Sequence, residues 1–272
     1  MLKLFYITNN PEIARIAQDA GVDRIFVDME YIGKEERQGG LDTVKNHHTI
    51  EDVKNVRQVL TASELLVRVN PIHSNSFDEI NRVIDAGADI IMLPMWKTPD
   101  EVREFIRLVG GRVRTMLLLE TNEAYSCIEE ALKLDGIDEI HIGLNDLHLS
   151  QGKHFLFELL TDGTVDRLAR IFNEKNITFG FGGFGRVHQE NLLPAENIIA
   201  EHYRLGSSMA ILSRAFCNTS DTDNVDLIRE AFVSGVRENK EYEKSLQDRD
   251  KQFFEEMHRD TIKIINGIVS GK

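Results

Sequence analysis

Three charged side chains keep apolar company in this 272-residue chain: Glu120 closes the run TMLLLE, Asp146 ends DEIHIGLND, and Arg68 lies within LLVRVNP. Desolvating a lone carboxylate or guanidinium is costly unless an opposite charge meets it. A pair of carboxylates suits a hard, oxygen-seeking cation, Mg²⁺ or Mn²⁺, with water or substrate completing an octahedron. Arg68 offers a planar fork of N–H donors for a carboxylate or for the oxygen of a developing enolate. Gly143, which precedes Leu144, Asn145 and Asp146, lets backbone N–H groups approach a small ligand, and the helical turn after it points its dipole at an anion. Each residue also has an architectural reading: Asp146 as a helix N-cap, Glu120 as the ion-pair partner of Arg68, Arg68 as half of a core salt bridge. Which reading holds depends on whether the fold brings the residues together.

The elements that must position them announce themselves by repetition. DAGVDRIFVDME, DAGADIIMLPMW, LDGIDEIHIGLN and RLGSSMAILSRA each end a helical pattern in glycine and then enter an apolar run. Gly21, Gly87, Gly136 and Gly206 read as residues just past a helix C-terminus in the left-handed conformation. The apolar runs lack strict alternation, as expected for strands buried on both faces of a parallel sheet. KLFYIT, ELLVRVN, TMLLLET and ITFGFGG supply four more strands. Helix starts are marked by Asn10 with Pro11 behind it, and by capping boxes at SFDE (Ser76) and TPDE (Thr98). Eight β/α units in a chain of this length predict a TIM (β/α)8 barrel, typically about 250 residues. A doubly wound sheet is the alternative, but no G-x-G-x-x-G follows the first strand.

The predicted barrel core spans residues 1–222, and residues 223–272 form a closing helix and a C-terminal helical extension. Val225 to Gly235 supplies the closing helix. Beyond a charged stretch, Phe253, Phe254, Met257, Ile264, Ile265 and Ile268 lie on one helical face. That face covers the chain's own barrel or docks on a second copy, and the second option predicts a homo-oligomer.

In such a barrel every strand ends at one face. The ends, in order, present Asp28 and Glu30, then Arg68 and Asn70, Pro94, Glu120, the Gly143–Asp146 turn, and Gly182 to Gly185. The chemistry-bearing residues thus share a mouth, which favours the functional readings over the architectural ones.

Composition narrows the partners. With 32 Lys and Arg against 45 Asp and Glu, the formal net charge is −13. That disfavours nucleic acid or an anionic membrane as the main partner. No apolar run approaches the roughly 18 residues of a membrane span, and the N-terminal run is too short for a signal peptide. The two cysteines, Cys127 and Cys217, show no metal or redox spacing, which fits a reducing cytoplasm.

Taken together, VDME, LLVRVNP, DAGADIIMLPM, LLLET and GLNDL resemble the HpcH/HpaI aldolase and citrate lyase β-subunit family, with the likeness running from about Gly21 through Phe216. The resemblance implies a metal-dependent TIM barrel acting on pyruvate-type 2-oxo acids, often oligomeric through exchanged C-terminal helices. By motif it makes Glu120 and Asp146 the metal ligands and Arg68 the residue that polarises the keto oxygen. Gly143, Leu144 and Asn145 would hold the substrate carboxylate. Two positions depart from the family pattern: Tyr31 replaces a histidine used in proton transfer, and Leu118 replaces a glutamine. With a phenol near pKa 10 a poor base, the loop from Ile32 to His48 offers His47 and His48. His48, just before the helix cap Thr49, is the candidate for proton transfer. The expected activity is that of a carbon–carbon lyase or aldolase on a 2-oxo acid of pyruvate or oxaloacetate type. A condensing enzyme on the same scaffold, or a keto-acid-binding protein that lost proton transfer, is the alternative.

Overall fold

In the computed structural model, which describes residues 1–33, 48–219 and 224–271, eight parallel strands close into a barrel in sequence order. They are β1 (Lys3–Ile7), β2 (Arg24–Asp28), β3 (Glu64–Arg68), β4 (Ile90–Leu93), β5 (Arg114–Leu119), β6 (Glu139–Ile142), β7 (Thr178–Phe184) and β8 (Met209–Leu212). Closure comes from β8 pairing with β1, Leu4 opposite Ala210. All eight strands lie where the apolar runs predicted them, and the fold is the expected TIM barrel with C-terminal helices.

The described helices are α1 (Pro11–Asp19), α2 (Ile50–Val59), α3 (Ser76–Asp85), α4 (Pro99–Val109), α5 (Asn122–Ala131), α6 (Leu144–Ser150), α7 (Thr164–Glu174), α8 (Ala195–Leu205), α9 (Val225–Leu246) and α10 (Lys251–Val269). A 3-10 turn, Leu156–Leu160, lies between α6 and α7. Asn10 caps α1 by accepting from the N–H groups of Glu12 and Ile13, and Thr98 with Glu101 forms the predicted capping box of α4. Gly21, Gly87 and Gly136 have φ of 92°, 94° and 96°, and Gly206 has 75°, a region where a side chain is strained. The box predicted at Ser76 does not form. Ser76 is the first helical residue, its Oγ accepts from the His73 N–H, and Glu79 is drawn away to the Asn70 amide at 2.7 Å.

Inside the barrel, side chains stack in layers. At the N-terminal end, fully buried Arg24 donates to Glu64 at 2.8 Å and to Glu139 at 2.7 Å, and Arg114 joins both carboxylates. Phe5, Phe26, Leu66, Met92, Met116 and Met209 fill the middle as a cluster separate from the core between strands and helices. This ionic floor closes one end of the barrel, so a ligand can enter only at the other.

The C-terminal region differs from the sequence reading in one respect. The closing helix does not stop at Gly235 but runs through it to Leu246. A Cβ at Gly235 would come 2.8 Å from the Phe216 ring, so this glycine serves close packing rather than helix termination. Helix α10 packs on α8 of its own barrel: Asn197 donates to Thr261 at 3.0 Å, His258 meets Glu201 at 2.8 Å, and the Tyr203 and Phe254 rings stack 6.4 Å apart. Of the predicted stripe only Ile265 is fully buried, while Phe253, Phe254, Met257, Ile264 and Ile268 are half-buried. The boundary between residues 222 and 223 falls outside the described residues. No described helix is long and apolar enough to cross a membrane.

Candidate active site

The C-terminal mouth of the barrel holds a cavity of about 530 Å³. Arg68, Glu120, Gly143, Leu144, Asn145 and Asp146 all line it. Six of the seven residues singled out from sequence therefore meet in one place; His48 is not part of the lining.

Arg68 owes its position to β3, whose alternation sends Glu64, Leu66 and Arg68 inward. Its Nε and Nη2 donate to the two oxygens of Asp28, each at 2.8 Å, and Nη1 lies 3.3 Å from Glu30. The side chain is 14% exposed, whereas those of Asp28 and Glu30 are 1% and 2% exposed. The predicted core ion pair is thus real, but its partners are Asp28 and Glu30 rather than Glu120. A guanidinium has five N–H donors, so this clamp fixes the plane of the group and leaves donors for the cavity. Phe26 lies beneath it, with Cζ 5.6 Å from the ring centroid.

Glu120 follows β5 and is buried at 3% exposure. One carboxylate oxygen accepts from the Met95 N–H at 3.0 Å, and among the described residues Oε2 has no hydrogen-bond partner. Burial pushes its pKa up to about 8; Arg68 pulls it down, while Asp146 and Glu30 push it further up. Gly143 is what makes room for this carboxylate. A Cβ there would lie 2.9 Å from the Glu120 Cβ and 3.0 Å from Oε2.

Asp146 stands in the first turn of α6, where Gly143 occupies the N-cap position and no side chain caps the helix. The N-cap reading of Asp146 therefore fails, and its carboxylate instead lines the cavity close enough to Glu120 to raise that group's pKa. The Gly143 N–H is committed to the Leu119 carbonyl at 2.9 Å. Any backbone cradle for an anion would thus use Leu144 and Asn145, whose N–H groups start a helix and have no intrahelical acceptor. The Leu144 side chain is buried and Asn145 is exposed.

The donor set fits a hard divalent cation. Two carboxylates, one with an unused oxygen next to a glycine-made gap, provide hard oxygen ligands. No group of three or more His, Cys, Asp or Glu among the described residues could hold a metal. Water and substrate oxygens would complete the shell, as is usual for Mg²⁺.

His48 lies beside β2, where its Nδ1 accepts the Asp28 N–H at 3.0 Å. In that arrangement Nδ1 is the unprotonated nitrogen, so the neutral ring carries its proton on Nε2. Tyr31 is 59% exposed and outside the cavity lining, and His47 falls outside the described residues.

Two features of the cavity went unread in the sequence. His141, inward on β6, is fully buried at its floor; Nε2 pairs with the Gly182 carbonyl at 3.1 Å and Nδ1 has no partner among the described residues. Burial drives its pKa down to about 4, so the ring is neutral. A histidine between two isoleucines signals an inward polar group, but the apolar character of the run masks it. The second feature is an apolar wall formed by Phe155, Phe157, Leu192 and Leu193, beyond the reach of strand-end reasoning because loops supply it.

Known proteins of one family resemble this chain. The pattern of the family described as HpcH/HpaI aldolase/citrate lyase matches residues 2–155. Two curated relatives are described as hydroxypyruvate/pyruvate aldolase. The Sagittula stellata protein is 31% identical over 29% of this chain and 42% of its own length. The Rhizorhabdus wittichii protein is 29% identical over 42% of this chain and 59% of its own. In both cases the matched region spans less than two thirds of the relative. Among solved structures, an HpcH/HpaI aldolase from Desulfitobacterium hafniense superposes with a TM-score of 0.63 at 17% identity, covering 84% of this chain and 93% of that one. A variant of the citrate synthase SbnG gives 0.54 at 17% identity, covering 88% and 93%. At such identities the structural likeness speaks for the fold alone.

Proposed function

Because this chain belongs to the HpcH/HpaI aldolase/citrate lyase family and gathers Arg68, Glu120 and Asp146 at one mouth, we propose that it is a divalent-metal-dependent carbon–carbon lyase. The reaction makes or breaks the bond next to C3 of a 2-oxo acid of pyruvate or oxaloacetate type, through an enolate. The single observation that carries this reading is the convergence of one clamped guanidinium and two carboxylates in a cavity whose far end is sealed by the Arg24 ion-pair layer.

Glu120 and Asp146 would hold Mg²⁺ or Mn²⁺, which when bound supplies a Lewis acid and a template for the carboxylate and keto oxygens of the substrate. Arg68, its plane fixed by Asp28 and Glu30, donates to the keto oxygen as negative charge develops there. The N–H groups of Leu144 and Asn145, beside Gly143, receive the substrate carboxylate. Proton transfer to the oxygen on C4 would fall to His48 Nε2 through an intervening water, because the ring is held beside β2 by Asp28 and outside the cavity lining. The ring acts as an acid in the bonded arrangement, because its other nitrogen is occupied by Asp28.

Pyruvate in D₂O tests this without knowledge of the acceptor. Proton exchange at C3, followed by NMR, is expected with Mg²⁺ or Mn²⁺ and should vanish on chelation and return on re-addition. Binding of pyruvate without exchange would favour a keto-acid-binding protein. Undiminished exchange after exhaustive chelation would remove the metal from the reading.

A further inference from the structure

The cavity is two-sided. Its charged pole comes from β3, β5 and the start of α6. Its apolar lining is supplied by the segment before and through the 3-10 turn, the Leu192–Leu193 loop and Phe184. Phe155 and Phe157 meet edge-on with centroids 5.4 Å apart, and Leu193 is 3% exposed, so this wall is packed rather than loose. Leu192, 73% exposed, extends it to the rim. Among the described residues lining the cavity Arg68 is the one permanent cation, and it already pairs with Asp28 and Glu30. The floor histidine, His141, is neutral.

A volume of about 530 Å³ falls in the range of roughly 300–1,000 Å³ that takes drug-sized ligands. A three-carbon keto acid at the charged pole leaves most of it for the second reactant. From this shape and polarity we infer that the acceptor is an aldehyde with an unbranched alkyl or an aromatic side chain, seated on Phe155, Phe157, Leu192 and Leu193. This inference rests on the lyase reading above. The step balances without any further reagent. The C3 carbon of the 2-oxo acid loses a proton and attacks the aldehyde carbon, a C–C bond forms as the C=O π bond breaks, and the aldehyde oxygen gains a proton. The product is a 4-hydroxy-2-oxo acid with an apolar tail, and cleavage is the reverse. An acceptor ending in a carboxylate or a phosphate meets no available cation among the described residues of this wall. Most of the wall also lies beyond residue 155, outside the residues matched to the family.

The test compares pyruvate addition to acetaldehyde, butanal, hexanal and succinic semialdehyde, alongside equilibrium binding of 2-oxobutanoate and 2-oxooctanoate. Each methylene buried is worth about fourfold, so kcat/KM should rise about 10²-fold from acetaldehyde to hexanal. Succinic semialdehyde should fall at least about tenfold below butanal, and 2-oxooctanoate should bind much more tightly than 2-oxobutanoate. Leu192→Ser, at an exposed position that does not carry the fold, should lower the hexanal-to-acetaldehyde ratio about tenfold. A flat series, a preference for succinic semialdehyde, or a ratio unmoved in Leu192→Ser would overturn the inference. Pyruvate proton exchange without addition to any of these aldehydes would overturn it and leave the lyase reading standing. A chain-length gradient in binding without pyruvate exchange would support the apolar seat while sinking the lyase reading.

Discussion

Gly143→Ala isolates the geometry of the site from the stability of the fold. Gly143 has φ of −80° and ψ of 84°, outside the left-handed region, so alanine meets no backbone penalty of the kind found at Gly21 or Gly87. The penalty is local. The new methyl would stand 2.9 Å from the Glu120 Cβ, 3.0 Å from Oε2 and 3.2 Å from a Leu118 methyl. Ordinary carbon contacts begin near ~3.5 Å, so roughly half an ångström must be found. It cannot come from the backbone, because the Gly143 N–H is tied to Leu119, nor freely from Glu120, whose other oxygen is held by Met95. Overpacking of this kind costs about 1–3 kcal/mol. Since a misplacement of ~1 Å at a reacting centre can cost about 10²-fold, half of that predicts about a tenfold loss in pyruvate proton exchange. Mn²⁺ affinity, read by electron paramagnetic resonance, should fall alongside it, with a modest shift in melting temperature. If exchange and Mn²⁺ affinity stayed at wild-type levels while only the melting temperature moved, Glu120 would not be a ligand at this position.

Other perturbations follow the same logic. Arg68→Ala strips the cation from buried Asp28 and Glu30 and should cost about 3–5 kcal/mol in denaturant unfolding. Arg68→Lys is therefore the informative variant: it should fold yet lose about 10²-fold in kcat, and near-normal turnover would reduce Arg68 to a structural role. His48→Ala should slow cleavage more than His47→Ala does, and equal rates would assign proton transfer elsewhere. The folded-state pKa of His141 is depressed from 6.5 to about 4, so the stability tied to its neutral form is present above pH 6.5 and lost as pH falls towards 4. The loss amounts to on the order of 3 kcal/mol, and the difference in unfolding free energy between wild type and His141→Phe across that window should show it; a pH-independent difference would contradict the burial argument. Light scattering at micromolar concentration should find an oligomer, since the half-buried face of α10 has area left for a second copy; a monomer would refute this.

The eight strands and the meeting of Arg68, Glu120 and Asp146 were legible because a barrel converts distant strand ends into neighbours. What the sequence could not reveal was which charges pair. LLVRVNP shows that Arg68 needs a partner, but only register decides it: Asp28 stands opposite Arg68 across the β2–β3 pair, whereas Glu120 follows β5, two strands further on. The same limit explains Ser76 and Gly235. In SFDE the local capping signal lost to a longer-range demand, as Asn70 drew Glu79 away. At Gly235 a packing requirement from Phe216 looked like a helix stop. Local patterns predict elements well when nothing distant competes for the same side chain.

The pairing of Arg68 also bears on why Glu120 behaves as it does. If Arg68 were the ion-pair partner of Glu120, the carboxylate would be held ionised and its charge spent. Instead Asp28 and Glu30 hold the guanidinium, and Glu120 keeps one oxygen unused, with its pKa pushed up to about 8. A buried carboxylate in that state can be relieved by a proton or by a cation, and Asp146 beside it favours a cation of higher charge. In the proposed reaction the burden of binding a cation and the burden of stabilising an oxyanion would thus fall on different residues of one cavity. That division suits enolate chemistry, where the two tasks act on the same keto oxygen and neither group is neutralised by the other.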